Sequence, residues 1–415
     1  MLKEVKSMKK PDKKYNITII AMSGLIIVTL GLILKLSGLF FKSMSADLCV
    51  SSGQISMTLS ITNIISAFTG LYIVRKMTSD NLQSIIRTGT LLVVLPTIVM
   101  AFADNIYYLY ILSTLRGFGA GMIGPVLVTV IIGNWFISKQ AIVTSIVFGS
   151  SGIIGAVFSP IISYLILNIG WRKASIVSGL IMLAFCLPAA ILQIPLKPEI
   201  IGLKPYEDNI SLTDADKSPN PKEAETISPS TTTILTVIVV CIFSLSVALP
   251  TSLPHHFAGL SASYSFPETI GALMISACMI VNTVGKLLFG IISEKTGFGK
   301  AMFTYLLLST LGVFLLLINN IFILFTAALC IGFSYSLITV GLSILIRKIS
   351  NGTSYSKLYS KANVCTTLGC ALGVTLIGML YDYTNGYSVS IVLITVMLLA
   401  DILIYIKLIS KRKGI

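Results

Sequence analysis

The sequence predicts an all-α membrane protein with twelve transmembrane helices in two pseudo-symmetric six-helix bundles. Three observations predict it: a strongly apolar composition, twelve apolar runs of spanning length, and positive charge sorted to alternate ends of those runs. Of the 415 residues, 55% are hydrophobic and 11% are charged. Soluble domains carry about 25% charged residues, and one soluble core stops growing near roughly 250–300 residues. A soluble chain of this composition would expose more apolar surface than water tolerates. Disorder, collagen-like repeats and a disulfide scaffold are excluded by the same figures.

Crossing about 30 Å of hydrocarbon takes roughly 20 residues of helix. Residues 1–14, MLKEVKSMKKPDKK, read as a basic N-terminal tail. The first run, 15–41, exceeds the roughly 7–15 residues of a secretory h-region and reads as a retained helix. Runs two to six cover 53–74, 84–103, 107–136, 141–166 and 173–195. The long runs 107–136 and 141–166 are expected to tilt or to extend past the bilayer. Residues 196–231 are polar, charged and Pro-rich, so they read as a linker between an N-terminal bundle, 15–195, and a C-terminal bundle, 232–409. Runs seven to twelve cover 232–254, 268–292, 301–318, 321–345, 357–379 and 387–409, and residues 410–415 form a short tail.

The net charge is +14. If the N-terminus lies inside the cell, 24 of the 30 Lys and Arg fall in cytoplasmic segments. They include the N-terminal lysines, Arg75, Lys76, Arg87, Lys139, the linker lysines, Lys295, Lys300, Arg347 and Lys348. Only Lys42, Arg172 and Lys173 fall outside. This sorting predicts both termini in the cytoplasm of a multi-pass protein of the cell membrane, and it explains the basic charge without nucleic acid. Moving the topology by one helix would spoil it. The seven cysteines form no CxxC pair, and six lie in apolar runs, so neither zinc nor a disulfide framework is expected.

The halves echo each other. After the second run comes Gly70-x-x-x-x-Arg75-Lys76, and after the eighth comes GKLLFGIISEKTGFGK, with Gly290 five residues before Lys295. Matching spacing at matching places indicates duplication, which is an architecture of transporters. Gly285–Lys300 resembles the loop signature of the major facilitator superfamily, with Glu294 where Asp is usual. The first-half copy, Gly70–Asp80, lacks the corresponding acid. A narrower resemblance is to the monocarboxylate transporter and oxalate–formate exchanger branch. It rests on RGFGAG (Arg116–Gly121), GNWFISKQ (Gly133–Gln140), GSSGIIGAVFSP (Gly149–Pro160), GWRKA (Gly170–Ala174), KPEIIGLKPY (Lys197–Tyr206) and TTLGCALGVTLIGMLYDYT (Thr366–Thr384). The resemblance implies a twelve-helix secondary carrier working by alternating access.

Four ionisable side chains fall deep inside the runs: Lys35, Arg116, Lys286 and Asp401. A charge at the bilayer centre costs about 2.5–3.5 kcal/mol on insertion scales, so it faces a cavity, a partner or the interface. Three cations against one anion predict a chamber that attracts a small organic anion, a carboxylate above all. On the residues alone, Lys35 and Lys286 could equally snorkel to the interface. The resemblance implies that Lys35 takes the place of the helix-one lysine of monocarboxylate transporters. It implies that Lys286 takes the place of the branch's carboxylate-binding helix-eight arginine. Asn282, one turn earlier on the same face, stands where monocarboxylate transporters carry Asp. The exchanger branch's helix-eleven lysine has no counterpart here. Arg116 reads as a substrate ligand or as a structural group, and Tyr335 as a residue of the route.

Gly149, Gly152 and Gly155, three apart and followed by Pro160, allow close helix approach or a hinge. Asp401 reads as a structural polar contact. His255 and His256 read as surface imidazoles or as sensors of external pH. No phosphate loop, metal cluster or nucleophile elbow is present, so no cofactor and no enzymatic activity are expected. The expected partners are the bilayer, a small organic anion and, for symport, protons, and a monomer suffices. An exporter of cationic or neutral drug-like compounds and a non-transporting membrane sensor remain the competing readings.

Overall fold

The computed structural model describes residues 13–137, 140–206, 234–349 and 352–410. The N-terminal tail, Lys139, the linker from 207 to 233 and the C-terminal tail lie outside the described residues. Among the described residues, eleven helical stretches are long and apolar enough to cross a membrane. One of them, Ile146–Ile191, has 46 residues, about twice what a crossing needs. It changes direction at Gly170, whose φ of 78° only glycine adopts without strain. It is therefore two crossings, and the count is twelve.

In chain order, α1 is Lys13–Leu36, α2 is Ser52–Lys76 and α3 is Leu82–Val99. Helix α4 has two pieces, Ile106–Met122 and Pro125–Trp135. Helices α5 and α6 are the parts of Gln140–Ile191 before and after Gly170. Helix α7 begins as Ile234–Ser246, passes through a 3-10 segment, Leu249–His256, and ends as Phe257–Ser263. Then come α8 (Glu268–Thr296), α9 (Phe298–Leu315), α10 (starting at Ile321–Gly332), α11 (Gly352–Thr384) and α12 (Ser388–Ser410). An even number of crossings puts both ends of the chain on one face, here the terminal face; the opposite one is the far face.

Local signals start these helices. Ser51 and Gln54 cap α2 with a reciprocal capping box. Asn105 accepts from Tyr108 N–H at the start of α4, and Asn320 accepts from Phe322 and Ile323 N–H at the start of α10. These equivalent caps, six crossings apart, are a second trace of duplication, each worth about 1 kcal/mol. Helices α3 and α6 run antiparallel. At the terminal face, Gln83 and Arg87 donate to Ala190 O, while at the far face Arg172 donates to Ala101 O and Ala103 O. Arg172 also pairs with Asp47 at 3.0 Å, which explains the GWRKA motif as a staple within the N-terminal half.

The segment after α6 is pinned over 195–206. Trp135 Nε1 donates to Pro195 O at 2.9 Å, Asn134 donates to Leu196 O, and Tyr206 exchanges backbone hydrogen bonds with Trp135 and Ile137. The first residues of the expected linker are thus bound to the end of α4.

The two halves join at the far face. Ser60 of α2 donates to Ala371 O and shares a bond with Thr375 of α11. Ser159 donates to Ala272 O, and Ser276 to Ala156 O, tying α5 to α8. Lys42 pairs with Glu268 at 2.7 Å. Toward the terminal face, α2 and α11 part around a small apolar crevice lined by Ile64, Phe68, Val364 and Leu368, among others. One contact crosses between halves as a helix cap. The Asp382 carboxylate of α11 accepts from Ser52 N–H at 2.8 Å and Gly53 N–H at 2.6 Å, in the first turn of α2. Those amides have no partner inside their own helix, and the helix dipole favours a negative charge there.

Asp382→Asn removes the charge and turns one acceptor into a donor, at a cost of about 0.5–2 kcal/mol to this latch. In a Cys49→Ser background, labelling of Cys278 and Cys370 by a membrane-impermeant maleimide from the far face is expected to rise several-fold. Unchanged labelling would show that the latch does not hold the far face shut.

Candidate functional site

Four helices are interrupted inside the membrane, and the interruptions come in pairs six crossings apart. Helix α1 passes into a 3-10 turn at Ser37–Phe40, and α7 into the 3-10 segment Leu249–His256. Helix α4 breaks at Gly124–Pro125, and α10 runs through Ser334–Ser336 into a π-helical turn at Leu337–Gly341. The causes are local. Pro125, Pro250 and Pro254 have no N–H to continue a helix. The Ser37 hydroxyl donates back to Ile33 O, which bends α1. Discontinuous helices at the repeat interface and π-turns are recurrent hosts of binding sites.

Lys35 stands just before the α1 break. Its Nζ lies over the Tyr335 ring, 4.0 Å from the centroid. Tyr335 sits at the α10 break, is 4% exposed and donates its hydroxyl to Thr251 O at 3.2 Å. On α8, Gly285 packs against Phe333 and Ser336, on either side of Tyr335, which sets Asn282 and Lys286 of the same helix beside the α10 break. One side chain from the N-terminal half thus meets the C-terminal half at the α10 break, and we call the buried cluster around this contact the chamber. Lys286 has no ion pair or hydrogen bond among the described residues. Asn282 is 1% exposed; its amide nitrogen meets only Met279 Sδ at 3.7 Å, and its oxygen has no partner. The Ser336 hydroxyl, beside Gly285 of α8, is also without a partner. Lys35 is therefore brought onto Tyr335, and Asn282 and Lys286 lie on the stretch of α8 beside it, with no carboxylate bonded to either ammonium among the described residues.

The histidines depart from the surface expectation. The apolar run of α7 continues beyond residue 254 to Ser263, so His255 and His256 lie inside the crossing, 6% and 3% exposed. His256 Nε2 bonds Val374 O at 2.9 Å, which requires the proton on that nitrogen. Its ring packs between Phe41 and Tyr387. The His255 backbone presses on Gly38, where a β-carbon would overlap it. This pair forms the roof of the chamber. The prolines at 250 and 254 and the glycine at 38 were the sequence signal for it.

Arg116 is not part of the chamber. It points into a cavity wholly within the N-terminal half, lined by Ser37, Thr58, Thr97, Met100, Ser175 and Ser178 among others. Asp401 lies on α12 and is bonded to α7. Its Oδ1 accepts from Ser246 of α7 at 2.6 Å, and Oδ2 has no partner. Gly152 and Gly155 let α5 close on Met279 and Thr283 of α8, so the close-approach reading of Gly149, Gly152 and Gly155 describes a seam between the halves. Pro160 lies inside the same helix, one residue past Ser159, which donates to Ala272 O across that seam. A β-carbon at Gly70 would make only ordinary contacts, and one at Gly290 would meet nothing within 4 Å. Arg75 and Lys295 occupy the last turns of α2 and α8 at the terminal face, both exposed, where a cation suits the helix dipole. The Glu294 side chain lies outside the described residues.

The chain is 29% identical to human (Homo sapiens) monocarboxylate transporter 14 over 144 residues, and to the mouse (Mus musculus) protein over 145. The matched stretch is 34% of this chain and spans 27% of the human protein's length. Among solved structures, the nucleoside transporter NupG superposes with a TM-score of 0.68 at 11% identity, over 97% of this chain and 100% of its own. A bacterial homolog of the human lysosomal transporter Spinster, solved inward-facing and unoccupied, gives 0.67 at 15% identity, over 95% and 97%. These two likenesses establish the fold. The sequence profile of the Major Facilitator Superfamily matches residues 18–277 and 257–414, nearly the whole chain. On this fold and this match, the chain belongs to the Major Facilitator Superfamily of membrane transporters.

Proposed function

We propose that this transporter carries a small organic anion, a mono- or dicarboxylate, across the cytoplasmic membrane by alternating access, as a proton symporter or an anion exchanger. The observation that carries the reading is the uncompensated charge of Lys35 and Lys286. Burying one ammonium costs about 2.5–3.5 kcal/mol on insertion scales. A desolvated cation–π contact returns about 2 kcal/mol, so the Tyr335 ring offsets only part of it for Lys35. Lys286 has no such ring in the described contacts, and each ammonium repels the other. A carboxylate between them removes both deficits. Asn282 and the free Ser336 hydroxyl supply neutral donors at the same place.

The two bundles, 15–195 and 232–409, are taken as the bodies that rock, with the 196–231 linker spanning them on the cytoplasmic side. Lys35 is the contribution of the first body to a site otherwise built by the second. An anion held by both lysines therefore binds the bodies together in a way that an empty chamber does not. With the termini in the cytoplasm, the far face is external, and the latch at Asp382 closes the outside. Similarity to monocarboxylate transporter 14 supports the anion, although it spans only a quarter of that protein. Export of a cationic compound would call for an acid in the chamber, and the buried Asp401 lies on α12, bonded to Ser246 of α7.

In proteoliposomes, uptake of a labelled carboxylate is expected to fall at least ten-fold in Lys35→Gln and in Lys286→Gln, in protein that still folds and inserts. Uptake like the wild type in either variant would remove that lysine from the site.

Tyr335→Phe keeps the ring under Lys35 and is expected to bind carboxylate within about two-fold of wild type, whereas Tyr335→Leu is expected to bind it several-fold more weakly. Equal loss in both, measured by titration, would show that the hydroxyl and not the ring matters.

A further inference from the structure

We propose that the cavity around Arg116 is a second, separate anion site, resident in the N-terminal half and able to take a small inorganic anion such as chloride. Arg116 lies in α4, ten residues from its far-face start, and is 6% exposed. Its guanidinium has five N–H donors. One terminal nitrogen reaches Met100 Sδ at 3.5 Å and the other reaches Ser37 Oγ at 3.4 Å. Both are weak, neutral acceptors, and Nε has no partner. Among the described residues no carboxylate pairs with it. An uncompensated buried cation costs several kcal/mol, and unlike lysine, arginine cannot shed its proton to escape that cost. The side chain is held beside a space that it does not fill.

That space is about 40 Å³. It has room for more than one water, or for a small ion with water. Its polar lining is hydroxyl: Ser37, Thr58, Thr97, Ser175 and Ser178. Each donates to a backbone carbonyl, Thr58 to Ile55 and Ser175 to Thr97 for example, and each can turn toward an anion by giving up that bond. All of the lining residues lie between 32 and 182, so the whole site belongs to one half. It does not split when the halves part. It would hold its ion throughout a transport cycle, as a counter-charge that fixes α4 against the α1 break. The inference rests on Arg116 and its own cavity, not on what the chamber carries.

The test is the melting temperature of purified protein in lipid nanodiscs, as sodium isethionate is replaced by sodium chloride at constant ionic strength. Isethionate keeps the ionic strength constant with a larger, weakly coordinating anion. The site predicts a saturable rise in wild type, with the folded state favoured about eleven-fold when chloride exceeds its Kd ten-fold. It also predicts the same rise in Lys35→Gln and none in Arg116→Gln. No rise in wild type, a rise retained in Arg116→Gln, or a rise lost in Lys35→Gln would each overturn it. Should Arg116→Gln fail to fold, crystals of the wild-type protein soaked in bromide decide the matter. An anomalous peak between Arg116 and Ser37 is the expected result, and its absence there would refute the site.

Discussion

An ammonium group from one half of the molecule rests on an aromatic ring from the other, and much else in the structure follows from that placement. Lys35 over Tyr335 is a charge in a low-dielectric space. It sits there because α1 breaks at Ser37–Phe40 and α10 loosens into a π-turn just after Tyr335. Continuous helices would hide the ring against neighbours and carry the lysine toward the interface. The breaks expose polar backbone, which is tolerable at membrane depth only where protein or a wet cavity receives it. The chamber and the broken helices are thus two sides of one constraint.

The duplication explains why the breaks come as they do. Helices α1 and α7 occupy equivalent places, and so do α4 and α10. Each pair kept its interruption while the chemistry diverged. One half placed a lysine at its α1 break, and the other placed two histidines at its α7 break. At the α4 and α10 positions one half kept an arginine in its own cavity, while the other kept a tyrosine in the shared chamber. The roof then closes by very close backbone contact, Gly38 on His255 and Gly53 on Gly378, with Asp382 capping a helix of the opposite half. Such contacts are either made or broken, as suits a gate with two positions.

Much of the fold was legible in the sequence. Hydropathy located the crossings because each must bury about twenty residues in lipid, and the lysines and arginines marked their ends. Depth alone left Lys35 and Lys286 free to snorkel to the interface, and it was the family resemblance that favoured a shared site with Asn282; Tyr335 was marked only by its polarity. Three things were not legible. Hydropathy ignores hydrogen-bond donors, so the runs 107–136, 232–254 and 321–345 read as unbroken although Gly124, Pro125, Pro250 and Pro254 stood in view. The histidine pair read as surface because the end of α7 was placed nine residues too early. Arg116 read either as a substrate ligand or as a structural group, because depth says nothing of rotation about the helix axis. The small residues Gly117, Gly119 and Gly121 set that rotation by packing α4 onto α2 and α3.

The central claim is that the chamber is selective for negative charge, and matched pairs of compounds test it most directly. Binding of a series of small carboxylic acids would be measured beside that of their neutral amides, which have nearly the same shape. The account predicts saturable binding of one or more of the carboxylates and none of their amides. Amides binding as well as the acids, or amines binding in their place, would contradict it.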